Sequence, residues 1–420
     1  MQSKLSLEKE YDVILYGATG FVGEQAAVYL ANHAQSQQLR WAIAGRNRSK
    51  LEQVKQQLGS GAGSVPLLVA DSHDQAAVDA MVAQTRVLLS TAGPYARFGL
   101  SIVDACVRFQ TNYVDITGET VWVRELIDRY HSQARTTGTR IIPCCGFDSV
   151  PADLGSYLLV RHMQMTLGTN CQDIQAYYQM PGGLNGGTIA SALYRHEAGH
   201  INSSRDPFLL NPKGTHPPEE LEQNRDPIHV KFDPSVGTWV GPFVMGPINT
   251  RVVRRSAALF AEWGEPYSPH FHYQEYLKYD PPLALAKAAL VTGALSLFAG
   301  VVDLPLTRHL LQPMLPQPGT GPSEQTMNSG WFSTELIGTG VDGQQVKTLL
   351  RFRGDPGNRA TVCFVCESAL SLALDSAALP GGAQRGGILT PATGLGDVLV
   401  ERLRSAGLMI KSRKIEQPQA

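Results

Sequence analysis

Gly17-Ala18-Thr19-Gly20-Phe21-Val22-Gly23 follows an apolar run and opens a helical one, an arrangement that lets main chain cradle phosphates. Gly17 permits a tight turn, Gly20 lets a pyrophosphate approach the backbone, and Gly23 lets helix and strand pack closely. Thr19, Phe21 and Val22 complete the loop. The following helix N-terminus adds unpaired N–H groups and the positive end of its dipole. The first two glycines are three apart, so the spacing differs from the common dinucleotide fingerprint.

The next apolar run ends Ala44-Gly45-Arg46, about twenty residues beyond Gly23. An acid there would bond a ribose 2′-hydroxyl. Instead Arg46, Arg48 and Lys50 cluster, and a guanidinium suits a 2′-phosphate through forked, charge-assisted bonds. The cofactor expected from these residues is NADP(H). Asp71 closes a third run, placed either to approach the adenine or to cap the next helix. Ala92-Gly93-Pro94-Tyr95 closes a fourth run, where small residues leave room for a nicotinamide and Tyr95 could face it; a plain strand-ending turn is the alternative.

Hydride transfer to a C=C or C=O bond also needs a proton from an acid within hydrogen-bond reach. Tyr95, Asp148 and Thr188 are the candidates, with Asp115 and Glu119 placed to orient groups near the ring. Asp148 and Thr188 each sit at an expected helix start, so capping competes with chemistry at both. A rival reading comes from His196-Glu197-Ala198-Gly199-His200, which fits the zinc-peptidase pattern with Glu219 or Glu220 as third ligand. Gly199 weakens that helix and the nucleotide loop would be left without work, so no metal is expected. A second rival is a non-catalytic module that holds NADPH and lipid.

The elements that must position these residues alternate. Runs at Tyr11–Gly17, Leu39–Gly45, Ser64–Asp71, Arg86–Gly93, Asn112–Gly118 and Thr139–Gly146 read as buried strands with helices between them. Glu119–Thr136 is the clearest helix, with Val123, Leu126, Ile127, Tyr130 and Ala134 on one face. The pattern predicts an α/β fold: a Rossmann-type doubly wound parallel sheet with a second α+β domain. In the second region, Phe332–Gly340 and Gln344–Gly354 read as a hairpin around Asp342-Gly343, followed by a buried helix over Arg359–Ala377. The expected boundaries are 1–152 for the NADP-binding unit, 153–387 for the substrate unit, and 388–420 for a C-terminal segment packing back on the first.

The 420 residues carry 36 basic and 37 acidic side chains, a formal charge of -1, which leaves no net field for nucleic acid. Six cysteines in such a length make no disulfide framework and read as buried thiols. Met1–Glu10 has no apolar signal segment, which predicts a cytoplasmic location. The run Leu283–Val302 is apolar apart from Lys287. It is short for a transmembrane span and reads as a core helix, or as one lying at a membrane surface or against acyl chains.

These motifs resemble those of the saccharopine dehydrogenase-like oxidoreductases, and within them the trans-acting enoyl reductases of bacterial glycolipid assembly. Besides the segments above, the likeness rests on Tyr113-Val114-Asp115-Ile116-Thr117-Gly118-Glu119, Cys145–Leu154, Gly186-Gly187-Thr188, Gly319–Pro322, Gly354-Asp355-Pro356-Gly357 and Leu389–Ala392. It implies an NADPH-dependent reductase of a lipid or polyketide-derived substrate, with peripheral contact through 283–302 at the inner face of the plasma membrane. Asn358 stands where relatives often carry Tyr.

Overall fold

The computed structural model describes residues 9–416 apart from 34, 36–37, 60–64, 182–205, 215 and 304–320. Short apolar blocks, three of them ending at Gly, Ser or Asp, form β1 (Tyr11–Tyr16), β2 (Trp41–Gly45), β3 (Leu67–Val69), β4 (Thr85–Ser90), β5 (Asn112–Asp115) and β6 (Arg140–Ile142). They lie parallel in the order β6-β5-β4-β1-β2-β3. Because β1 is flanked by β2 and β4, the winding reverses there, and a crevice opens beyond the carboxyl ends of β1 and β4. Val13 and Leu15 are buried in one core and Ile14 and Tyr16 in the other, so both faces of the sheet are covered.

The connecting helices are α1 (Phe21–Asn32), α2 (Arg48–Gln57), α3 (Gln75–Ala83), α4 (Tyr95–Phe98), α5 (Leu100–Arg108) and α6 (Thr120–Thr137). Asn47 caps α2 by accepting from the Lys50 N–H at 3.0 Å. Gly138, at φ 75°, ends α6.

Then come α7 (Val150–His162), β7 (Cys171–Gln179), α8 (Pro218–Gln223), β8 (Lys231–Asp233), β9 (Thr238–Pro242), α9 (Gly246–Glu262), β10 (His272–Lys278) and α10 (Ala284–Asp303). The chain continues through α11 (Glu324–Ser329), β11 (Trp331–Gly340), β12 (Gln345–Arg353), α12 (Thr361–Leu374), β13 (Gly387–Ile388), α13 (Pro391–Ser405) and β14 (Met409–Lys414). The second sheet is mixed, in the order β14-β12-β11-β7-β10-β9-β8. The β11–β12 hairpin turns at Asp342-Gly343, with Gly343 at φ 82°. On α9, Arg251, Arg254 and Arg255 are buried and donate to the carbonyls of Asp206, Pro207 and Leu210. They pin the chain entering α8.

Two elements from beyond residue 152 pack on the first sheet. Every residue of α12 from Thr361 to Ala373 is buried, and the helix lies on α1, β1, β4 and β5 rather than within the second sheet's layer. An all-round apolar helix needs cover on every side, and this face of the first sheet supplies it. β13 pairs with β6 and extends the first sheet. His131 Nδ1 accepts from the Ile388 N–H at 3.1 Å, and Arg255 donates to the Ile388 carbonyl at 2.6 Å.

The core-helix reading of the 283–302 run is corrected. Ala284 and Ala288 are buried near Trp239, Leu277 and Tyr279, but Leu283, Leu285, Leu290 and Leu297 are 72%, 48%, 75% and 71% exposed. A helix resting on one sheet edge can bury only one narrow stripe. Among the described residues no helix is long and apolar enough to cross a membrane.

Candidate active site

The glycine loop begins where β1 ends. Gly17 has φ 87°, and a Cβ there would lie 2.8 Å from the Ala92 nitrogen, so only glycine seats this turn against the end of β4. A Cβ on Gly23 would overlap the Gly17 carbonyl oxygen, which fixes how closely α1 meets the loop. Gly20 differs: its Cβ would meet nothing nearer than the Gly17 oxygen at 3.5 Å. Gly20 is also the N-cap of α1 and has no side chain to bond the first turn, so the leading N–H groups of Phe21, Val22 and Gly23 receive no side-chain cap. Helix starts of this kind are where phosphates bind. The Thr91 hydroxyl donates to the Gly17 carbonyl at 3.1 Å and braces the loop from β4.

Arg46 follows β2 directly and is exposed. Arg48 is engaged with Glu52 at 3.2 Å, one turn along α2. Asp71 lies beside this cluster and accepts from the backbone and ring of His73, each at 2.9 Å. The backbone bond from His73 first, then its ring, holds the Asp71 carboxyl below the usual range, with a contribution from the Arg46 charge. The helix-capping alternative falls to another residue, because Asp74 caps α3.

At the other end of the crevice, Ala92 is half-buried and Gly93 exposed, with Pro94 as the N-cap of α4. Tyr95 does not face this space, contrary to the expectation that it meets the ring. Its side chain turns inward, 5% exposed, with its ring 5.5 Å from that of Trp122. The hydroxyl donates to the Ser90 carbonyl at 3.1 Å and accepts from the Ile116 N–H at 3.4 Å. Burial raises its pKa well above the ordinary phenol value. It ties β4 to β5, with its hydroxyl engaged by backbone groups on both.

Glu119 is also committed. Its carboxylate accepts from the Tyr95 and Ala96 N–H groups, both at 2.8 Å, and so holds α4 in place. Asp115 is wholly buried at the end of β5 and accepts from Thr117 N–H at 2.9 Å and Cys144 N–H at 3.0 Å. Burial pushes its pKa up to about 7. Asp148 is the expected acid that stays half-exposed. One of its oxygens lies 3.8 Å from where a Gly118 Cβ would sit, so it borders the loop beyond β5. The N-cap of α7 is Ser149, whose hydroxyl donates to Asn249 Oδ1 at 3.3 Å instead of capping. Thr188 and His196–His200 lie outside the described residues; Glu220 hydrogen-bonds His216 at 2.9 Å.

Residues 13–142 match the family described as saccharopine dehydrogenase NADP binding domain. Over 97% of its length the chain is 37% identical to a putative trans-acting enoyl reductase of Mycobacterium tuberculosis, covering 98% of that protein. It is 34% identical to the trans-acting enoyl reductase of Mycobacterium leprae over 97% of this chain and 99% of that one. The chain belongs to the trans-acting enoyl reductase family. The apo saccharopine dehydrogenase (L-Glu forming) of Saccharomyces cerevisiae shares the fold, with a TM-score of 0.54 at 14% identity over 96% of this chain and 99% of that one.

This family member is an NADP(H)-dependent oxidoreductase, and the crevice fits the cofactor. An uncapped helix start, a glycine with room above it and an exposed guanidinium beside the β2 end are the features a 2′-phosphorylated dinucleotide requires.

Sequence reasoning missed three contacts that tie the second region together or to α1. Gly321 packs so tightly on the Phe21 ring that a Cβ there would overlap it. Arg359 donates to Gln25 of α1 at 3.2 Å, joining the 354–360 loop to the nucleotide helix. Glu275 is buried and accepts from Tyr273 at 2.6 Å, Tyr178 at 3.1 Å and Asn249 at 2.9 Å, behind Ser149. The signal for the first was present in Gly319–Pro322; the other two depend on pairings far apart in sequence.

Proposed function

We propose that this reductase saturates an activated C=C bond, or reduces a C=O bond, in a lipid or polyketide-derived substrate. The single observation that carries the reading is the open phosphate cradle with Arg46 beside it, in a chain whose relatives are named enoyl reductases. NADPH, when bound, supplies the hydride. Gly17, Thr19, Gly20, Phe21, Val22 and Gly23 would hold its pyrophosphate, Arg46 its 2′-phosphate with Asp71 alongside, and Ala92, Gly93 and Pro94 would line the nicotinamide.

The substrate carbon or oxygen that gains electron density then needs a proton. Asp148 is assigned as its donor, because Tyr95 is buried and hydrogen-bonded away from the crevice while Asp148 borders it. The experiment is NADPH consumption with a panel of enoyl and keto lipid thioesters. Asp148→Asn is expected to lower kcat by roughly 100-fold, within the usual range for general acids, with NADPH affinity preserved. Undiminished kcat in that variant removes Asp148 from the role. Silence of the parent across the panel favours the module that binds NADPH and lipid without turnover.

The exposed leucines of α10 support contact with a lipid surface, through an apolar face with Lys287 at its start. Co-sedimentation with phosphatidylcholine–phosphatidylglycerol vesicles tests this contact, and a protein that stays in the supernatant refutes it.

A further inference from the structure

The adenosine half of the crevice is built from local sequence, but the nicotinamide half depends on loops after β4, β5 and β6 that are distant along the chain. A single side chain joins two of them. The Asp115 carboxyl, 0% exposed, receives through Oδ1 the N–H of Thr117 from the β5 loop and of Cys144 from the β6 loop. The main chain closes the same knot, since Cys145 N–H donates to the Asp115 carbonyl at 2.7 Å. Cys144 sits at φ 63°, a left-handed conformation uncommon for a residue with a side chain. That turn is what redirects the chain from β6 toward Gly146 and Asp148. Asp115 Oδ2 is buried beside the Tyr113 hydroxyl.

We propose that Asp115 is a positioning residue that locks the β5 and β6 loops together and thereby preorganises the nicotinamide half of the crevice and the Asp148 backbone. The inference rests on the cofactor orientation set out above and needs no substrate. It separates two functions along one cofactor: Arg46 and the glycine loop bind, while Asp115 orders the far end.

The groups facing Asp115 are Tyr113 on its own strand, Tyr95 after β4, Glu119 beyond its own loop, and Cys144 and Cys145 after β6. No cation is among them. Burial therefore holds the carboxyl's pKa up near 7, with Glu119 adding to the rise. As pH rises through that value the carboxyl ionises while buried, which favours an open, hydrated arrangement over the locked one. The loops should loosen from pH 6 to pH 8.

The test compares two probes, NADPH and adenosine 2′,5′-bisphosphate, which carries the adenosine end alone. Taking their affinity ratio cancels the titration of the shared 2′-phosphate. In Asp115→Ala the fragment should bind within about twofold of the parent, while the advantage of NADPH over it falls about tenfold as the loops lose preorganisation. Asp115→Asn keeps an acceptor for both N–H groups and should retain most of that advantage at pH 7. Its ratio should be flat from pH 6 to pH 8, where that of the parent falls.

Equal loss of both probes in the alanine variant, or no loss of either, overturns the proposal. Should that variant fail to fold, a parent and asparagine variant with the same pH profile would overturn it equally. Because no turnover is measured, failure here is distinct from failure of the reductase reading.

Discussion

At the β1–β3 end of the crevice the polar groups face outward, whereas at the β4–β6 end they face one another. Arg46 is exposed and Asp71 half-exposed, and the first N–H groups of α1 have no side-chain cap. Beyond β4, the Tyr95 hydroxyl, Glu119 and Asp115 all spend their hydrogen bonds on backbone groups of neighbouring loops. The first arrangement keeps binding capacity in reserve for a ligand. The second uses it to hold a shape, at the expense of desolvating carboxyls whose pKa values rise in consequence. One end recognises and the other arranges.

The comparison can be broken most forcefully at Gly23. Gly23→Val places branched carbon against the Gly17 carbonyl and the Ala18 Cα, which are backbone and cannot swing aside. Overpacking of about 1–3 kcal/mol predicts an NADPH affinity lower by roughly 5- to 150-fold, read by titration of cofactor fluorescence. A variant binding as tightly as the parent would show that the loop is not the cradle.

Arg46→Asp comes next. Losing one charge-assisted bond, worth about 1.5–3 kcal/mol, should weaken NADPH by roughly 10- to 150-fold while NADH binding changes little. Equal losses for both would remove the 2′-phosphate contact from Arg46.

The smallest effect sharpens the other side. Tyr95→Phe deletes a buried hydroxyl that braces β4 against β5, and should cost about 0.5–1.5 kcal/mol in urea unfolding. Turnover should remain within about threefold, since the hydroxyl is turned from the crevice. A stable variant without turnover would restore Tyr95 as the acid.

The difference between the two ends also governs what could be read in advance. The glycine loop and Arg46 are contiguous motifs tied to one strand–turn–helix unit, so type and spacing suffice. All six leading strands announce themselves as short apolar blocks, with ends displaced by a few residues. Tyr95 was misjudged because a residue just beyond a strand has no parity to say which way it points. Asp115 looks in sequence like any strand-ending acid, and its partnership with Cys144 exists only after β6 pairs with β5. α12 was legible as buried, yet nothing in its own residues names the surface that buries it. β13, two residues long, is recruited by His131 and Arg255 rather than by its own pattern.

The placement of α12 has a consequence for how the chain matures. Val13, Leu15, Leu89 and Val114 belong to the core that this helix completes, some 200 residues after β6 has been made. During synthesis that sheet face must wait for this helix while all of the second sheet except β14 emerges, so acquisition of the nucleotide unit is a late, long-range event. A polypeptide halted near residue 152 would carry every phosphate-binding residue and still expose a greasy flank, making it a client for chaperones rather than a small autonomous binder.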